Sequence, residues 1–229
     1  MTAFVATPSH HPDDGILTDY ASGAAHEAAA VMIAAHLALC GTCRDTVRHL
    51  ERIGAALIED LPPSPLSPET RDRVMAQLDD AVSEPVRAPE SLTELADPLL
   101  QGLPRPLRPY LSGASARLSW RRIGPMVDQI ELPVAAAHRH EHMRLLRIKA
   151  GSAIPRHTHV GTEMVLVLSG GFRDGAMQFG PGDFSLSDNE IDHSPLADPD
   201  GDCICLSVTD APLRFTGPIG RILNLFVRF

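Results

Sequence analysis

Hydrophobic and polar positions follow two different periods along this chain. Up to about residue 82, apolar side chains recur every three to four residues, which is typical of helices. From about residue 101 they alternate in short runs bounded by Gly, Pro, Asp and Asn, which is typical of strands. The stretch between is acidic, holds three prolines and has no period. We therefore predict a helical domain over residues 1–82, a linker over 83–100 and an all-β domain over 101–229.

The N-terminal period predicts about four helices. A short helix covers residues 16–22, and a second, over 25–39, is apolar nearly all round, as in helices that their neighbours bury. A third begins near Cys43. The segment PPSPLSP separates it from a fourth helix over 67–82, which starts with a capping serine and a proline.

The C-terminal period predicts an antiparallel β-barrel or sandwich without helices. The predicted strands cover residues 118–123, 142–149, 163–168, 203–208 and 221–229.

Charge and cysteine usage narrow the possible partners. Residues 1–81 carry 12 acidic and five basic side chains, which disfavours direct DNA binding and suits a partner protein with a basic surface.

The N-terminus does not resemble a secretory signal, and no apolar window reaches the roughly 18 residues of a membrane span. All four cysteines lie in two close pairs, unlike a secreted disulfide framework. We expect a cytoplasmic protein with no membrane association.

A first candidate metal site lies at the end of the second predicted helix. His36, Cys40 and Cys43 form H-x3-C-x2-C, and side chains four residues apart on a helix share one face. Structural zinc takes four ligands, and the tail offers His11 or His10 as the fourth. The alternatives are a buried cysteine pair or a thioredoxin-like redox pair, but the strand that the latter requires does not precede this motif.

This pattern resembles the zinc-binding anti-sigma factors. Those proteins carry an N-terminal histidine about two dozen residues before H-x3-C-x2-C, and His11 lies 25 residues before His36. The resemblance implies that His11, rather than His10, completes an N-terminal set of four zinc ligands: His11, His36, Cys40 and Cys43. It also implies that the helical domain clamps an extracytoplasmic-function sigma factor and blocks its contacts with RNA polymerase.

A second candidate metal site lies in the predicted β domain. Gly151, His157, His159, Glu163 and Gly170 fit G-x5-H-x-H-x3-E-x6-G, which resembles the first cupin motif at every fixed position. Residues two apart on a strand face the same side, so both imidazoles point to one centre, and the carboxylate opens the next strand. The alternative, surface histidines on a loop, does not account for this spacing.

His193 follows where a second cupin motif supplies a fourth ligand. The usual P-x-G-x2-H-x3-N is not kept before it, and Ala197 stands where asparagine is expected. We name His157, His159, Glu163 and His193 the barrel set. Three imidazoles and a carboxylate suit zinc, iron, manganese, nickel or copper. Four protein ligands would close a zinc tetrahedron, which favours sensing or structure over turnover.

Cys203 and Cys205 stand two apart on a predicted late strand, so their thiols share one face. Two interpretations stay open: a redox or modulating pair near the barrel metal, or two small core residues. The ChrR-type chains, which the whole sequence resembles most, also carry such a C-x-C.

The ChrR type fuses a zinc anti-sigma domain to a cupin, and that resemblance favours zinc in both sites. It implies an anti-sigma factor that releases its partner under stress, such as reactive or singlet oxygen, sensed by the barrel. The acidic, proline-bearing linker predicts that a change in barrel position is passed on without a rigid shared core. The alternative is a metal-dependent cupin enzyme, a dioxygenase or isomerase, for which Arg156, Tyr110 and Asp192 are unplaced polar candidates. A zinc-finger transcription factor is disfavoured by the acidic N-terminal domain.

Overall fold

Four α-helices form the first part of the chain. The computed structural model describes residues 7–80, 102–111, 119–135 and 141–216. The helices are α1 (Asp14–Ser22), α2 (Glu27–Leu39), α3 (Gly41–Glu59) and α4 (Pro68–Asp80). The prediction of about four helices is confirmed. No helix in the described ranges combines the length and the apolar character needed to cross a membrane.

Local capping sets where these helices begin and end. The Asp13 carboxylate accepts the N–H three residues further on at 2.9 Å and starts α1, and Gly23, with φ of +76°, ends it. Cys40 alone joins α2 to α3: it ends the first helix, and its Sγ lies 3.4 Å from the Cys43 N–H inside the second. The α3 helix therefore begins at Gly41, slightly before the predicted start.

Short antiparallel strands dominate the second part of the chain. Within the described residues they are β1 (Arg121–Arg122), β2 (Val127–Leu132), β3 (His142–Ile148), β4 (His157–His159), β5 (Glu163–Ser169), β6 (Phe172–Asp174), β7 (Met177–Phe179), β8 (Phe184–Ser187), β9 (Asp192–His193), β10 (Leu196–Ala197), β11 (Cys203–Thr209) and β12 (Leu213–Phe215).

These strands form three sheets. The largest has the order β1-β2-β3-β11-β5-β8, and β11, buried along its whole length, pairs with β3 on one side and β5 on the other. The two smaller sheets have the orders β10-β6-β7 and β12-β4-β9. The second of these places His157 directly opposite His193. The prediction of a helical part followed by antiparallel β structure is confirmed.

Two details of the β part differ from the prediction. The expectation that it contains no helix is wrong: a 3-10 turn (Arg105–Leu107) leads into a short helix, α5 (Arg108–Leu111). Proline at the start of this turn favours helical backbone angles, and Leu107 and Leu111 are buried. The predicted strand over 118–123 is reduced, in the described residues, to β1. The predicted strand over 221–229 and the predicted linker lie outside the described residues.

One buried cluster connects the helical part with the sheets. Helix α2 contacts the 3-10 turn, β5 and β11. The shared core explains why α2 is apolar on nearly every face, and it contradicts the expected absence of a common core between the two parts. The cluster includes Met32, Ile33, Val47, Leu107, Leu111, Leu132, Leu145, Leu166, Phe184 and Leu206.

Two candidate metal sites

The N-terminal set is assembled around the junction of α2 and α3. His36 lies in the last turn of α2, Cys40 joins the helices, and Cys43 lies in the first turn of α3. His11 comes from the preceding tail, and its Nδ1 lies 3.4 Å from the Sγ atoms of both Cys40 and Cys43. One ligand atom from each of the four residues lies within 4.8 Å of the others. The structure thus brings together the four residues that the sequence offered as candidate ligands.

The tail turns His10 away from this set. Its ring packs against Phe179, with 4.3 Å between ring centroids, and its Nδ1 lies 3.5 Å from an Asp183 carboxylate oxygen. This arrangement agrees with the choice of His11 over His10.

The environment of the N-terminal set suits a thiophilic cation. The buried His36 donates an Nδ1 hydrogen bond to the Gly182 carbonyl at 2.8 Å, which leaves its buried Nε2 with no hydrogen-bond partner. An imidazole held by a carbonyl on one nitrogen presents the other to a metal. Burial lowers the pKa of His36, which favours the neutral, ligating form. In the metal-free protein, burial and a hydrogen bond with Cys40 raise the pKa of Cys43 to about 12.

The barrel set is held by three strands. Strand β4 supplies His157 and His159, β5 begins with Glu163, and β9 ends with His193. Their ligand atoms also lie within 4.8 Å of one another. His157, His159 and Glu163 are each buried, as the inward-facing pattern predicted.

The imidazole nitrogens of the barrel set converge on one centre. His157 donates from Nδ1 to the Pro155 carbonyl at 2.8 Å, and His193 donates from Nδ1 to Asp174 at 2.6 Å. These hydrogen bonds turn the two Nε2 atoms toward each other, and they lie 3.1 Å apart. The His159 Nε2 lies equally close to that of His193. Converging lone pairs repel one another unless a proton or a metal ion lies between them.

Burial tunes the protonation of the barrel set. It lowers the pKa of His157 and of His159 to about 4, so both rings are neutral at physiological pH. Burial raises the pKa of Glu163, partly offset by a 3.0 Å hydrogen bond from the Ser207 hydroxyl. A divalent ion would relieve the cost of burying this carboxylate.

Cys203 and Cys205 lie on the central strand β11, and both are buried and reduced. A hydrogen bond with Cys203, and then burial, raise the pKa of Cys205 well above its ordinary value. This environment disfavours the thiolate, the reactive form, and agrees with the core interpretation. The modulating role of the pair stays a prediction.

A cavity of about 320 Å³ adjoins the barrel set. The described residues that line it are mainly apolar, among them Val127, Leu146, Ile148, Val165 and Phe172. The polar candidates for an enzyme lie elsewhere: Arg156 pairs with Asp192 at 3.1 Å, and the Tyr110 hydroxyl donates to Glu27 at 2.9 Å. None of Arg156, Asp192 and Tyr110 is among the described lining residues.

Sequence reasoning missed the groups that orient the ligands. The Asp174 carboxylate and the carbonyls of Pro155 and Gly182 each accept a hydrogen bond from a ligand imidazole. No local pattern pointed to Asp174, because its partner His193 lies 19 residues away.

The sequence of this chain matches those of known proteins. The sequence profile of the ChrR cupin-like domain matches residues 111–212. The chain is 40% identical over 222 residues to the anti-sigma-E factor ChrR of Cereibacter sphaeroides, covering 97% of this chain and 99% of that protein. The chain belongs to the ChrR family of anti-sigma factors. The family resemblance found in the sequence is thus confirmed.

A solved structure of the same family supports the overall fold. ChrR in the crystal structure of Rhodobacter sphaeroides SigE in complex with the anti-sigma ChrR superposes with a TM-score of 0.73 at 36% identity. The match covers 89% of this chain and 99% of that chain. The predicted order, a helical part followed by a cupin-like antiparallel β part, is therefore confirmed as that of the ChrR family.

Proposed function

We propose that this protein is a cytoplasmic anti-sigma factor that binds an extracytoplasmic-function sigma factor through residues 1–82. Identity of 40% over nearly the whole chain with an anti-sigma-E factor carries this proposal. The crystal structure of a relative in complex with SigE supports the class of partner. The protein acts as a regulator rather than an enzyme, and the mainly apolar cavity agrees with this role.

The structure offers an apolar surface for that partner on α3 and α4. Nearly every described side chain of α4 is exposed. A helix of 13 residues is marginally stable alone in water, so α4 gains stability from a partner that covers it. Exposed apolar patches of this kind are typical of protein interfaces. The exposed apolar side chains of α3, α4 and the segment between them, which we name the α3–α4 apolar surface, are Ile53, Leu57, Ile58, Leu61, Leu66, Val74, Met75 and Leu78.

Metal ions complete the proposal. The N-terminal set holds zinc, because two thiols and two imidazoles are typical ligands of structural zinc. The barrel set holds a second divalent ion, most simply zinc, and the barrel (residues 101–229) senses the releasing signal, reactive or singlet oxygen. Zinc would supply fixed tetrahedral geometry at the first site and a link between three strands at the second. The acidic linker over 83–100 joins the two domains.

Copurification tests the partner and the surface together. Untagged sigma factors of the extracytoplasmic-function class are co-expressed with the tagged protein. The affinity between this protein and the sigma factor that copurifies with it is then measured. Replacing Leu57 and Leu78 with Asp should weaken binding about 100-fold or more, since truncating interface anchors costs several kcal/mol. The matched control is Met177→Asp, an equally exposed apolar residue on the barrel. Unchanged binding in the double variant would show that another surface holds the partner.

A further inference from the structure

Helix α2 is held against the barrel part at both of its ends. At its N-terminal end, the Glu27 carboxylate accepts hydrogen bonds from the Tyr110 hydroxyl at 2.9 Å and from the Ala135 N–H at 2.6 Å. At its C-terminal end, His36 donates to the Gly182 carbonyl. The second contact differs in kind from the first, because it involves a proposed metal ligand.

The same barrel turn, residues 180–184, also holds the tail that carries His11. The Asp183 carboxylate accepts the backbone N–H groups of Ser9 at 2.5 Å and His10 at 2.9 Å. The Phe184 N–H donates to the His10 carbonyl at 3.0 Å. The backbone immediately before His11 is therefore fixed by the barrel rather than by its own helical domain.

Close packing reinforces these hydrogen bonds. Gly182 has φ of +91°, and a Cβ there would lie 2.6 Å from the Pro8 side chain and 3.5 Å from that of Leu39. Only glycine lets the turn approach both the tail and the end of α2. The turn thus touches the two segments that bring the histidines of the N-terminal set together.

Charge favours the same arrangement. Burial raises the pKa of the Asp183 carboxyl group. Hydrogen bonds from the amides of Gly180, His10 and Ser9 outweigh this effect and hold the pKa below its ordinary value. Hydrogen bonds from amides to an ionised carboxylate are stronger than neutral ones.

We infer that the barrel turn of residues 180–184 positions two histidine ligands of the N-terminal metal site. It orients His36 directly through Gly182 and places His11 through the tail, so metal binding and docking of the helices on the barrel are coupled. This inference rests on the proposed metal ligands and goes beyond them by assigning a positioning role to the barrel. By thermodynamic linkage the coupling is reciprocal: a displaced barrel weakens metal binding, and metal loss loosens the turn.

Cobalt(II) binding tests the first half of this coupling in the full-length protein. Thiolate-to-cobalt charge transfer reports on the N-terminal set, because none of the four barrel ligands is a cysteine. Since Cys205 lines the cavity beside the barrel set, the variant Cys203→Ala, Cys205→Ala should keep the full signal. Asp183→Asn should weaken cobalt affinity at this site about tenfold, the usual effect of losing a group that orients a ligand. The matched control is Asp202→Asn, which removes a carboxylate that accepts the Ala150 N–H within the barrel. The metal content of the barrel set should stay unchanged in both variants.

Hydrogen exchange of the unsubstituted protein tests whether loss of the metal loosens the barrel turn. Removing the metal from the N-terminal set should speed exchange of the Phe184 amide, which bonds to the tail, at least tenfold. Amides of β11, which pair within the sheet, serve as the internal control. This measurement needs no variant, so it does not depend on how well Asp183→Asn folds.

The outcomes separate this inference from the proposed function. If the unsubstituted protein shows no thiolate–cobalt signal, the N-terminal metal site itself is wrong. If the signal appears but Asp183→Asn binds cobalt within twofold of Asp202→Asn, the metal site stands and the positioning role of the turn is refuted. Metal-independent exchange at Phe184 would refute the reciprocal coupling.

Discussion

The two candidate metal sites differ in how their ligands are supported. In the barrel set, strands of two sheets present the ligands, and one of these sheets fixes His157 opposite His193. In the N-terminal set, the ligands come from a tail and from the two helix ends that meet at Cys40, and the barrel orients one of the imidazoles. Paired strands hold three ligands of the first site, whereas a tail and two helix ends supply those of the second. We expect the N-terminal site to respond more strongly to changes around it.

Removing the two N-terminal thiols should cause the largest change in metal content and in the order of the helices. The variant Cys40→Ala, Cys43→Ala should bind one metal ion per chain where the native protein binds two, because no other described thiol adjoins His11. Loss of structural zinc removes binding free energy on the order of 10 kcal/mol, so α1 to α3 should lose their order while the barrel persists. Elemental analysis of freshly purified protein and circular dichroism measure both results.

The matched control is Cys203→Ala, Cys205→Ala, which should retain two ions. A native stoichiometry of one, or loss of metal in the control alone, would contradict the assignment of two sites.

Removing barrel ligands should leave partner binding intact but abolish release. In the variant His157→Ala, His159→Ala the three strands lose their common ion, while the α3–α4 apolar surface is unchanged. A signal shifts the equilibrium only by its differential affinity for the two states, and the barrel ion is the proposed origin of that difference. A sigma-dependent reporter in cells challenged with reactive oxygen should therefore stay off. Normal induction would place sensing elsewhere in the chain.

Lowering the pH should release metal from the N-terminal set more steeply than from the barrel set. The raised pKa of Cys43, about 12, means that metal must displace a proton from this thiol at every pH below that value. Apparent affinity should then fall at least tenfold per unit of pH between 9 and 6. His157 and His159, with pKa values of about 4, carry no proton to displace in this range.

Chelator competition on the two double variants described above measures each site separately. A pH dependence as steep in the barrel set as in the N-terminal set would contradict this difference in protonation.

Most ligands of both sets could be predicted from local periodicity in the sequence. Helical spacing predicted that His36 and Cys40 lie close together, although Cys40 ends α2 with an extended backbone. Strand spacing places His157 and His159 on one side of β4. His11 required the family resemblance, because the path of a tail is not set by a period.

The groups that orient the ligands could not be predicted in this way. The contact between His36 and Gly182 joins residues 146 positions apart, and it exists only because α2 lies on the barrel. The all-round apolar character of α2 indicated burial but not the neighbour that buries it. Domain boundaries at residues 82 and 101 stay predictions, since they border a segment outside the described residues.

The shared core around α2 has a consequence for the evolution of this family. A modular protein can exchange one domain for another when the contact between them is small and polar. Here Met32 and Ile33 are completely buried in a cluster that continues into the sheets, so a foreign barrel would leave apolar surface of α2 uncovered. A substitution that changes the volume of α2 at this contact should therefore need a compensating change on the facing strands β5 and β11.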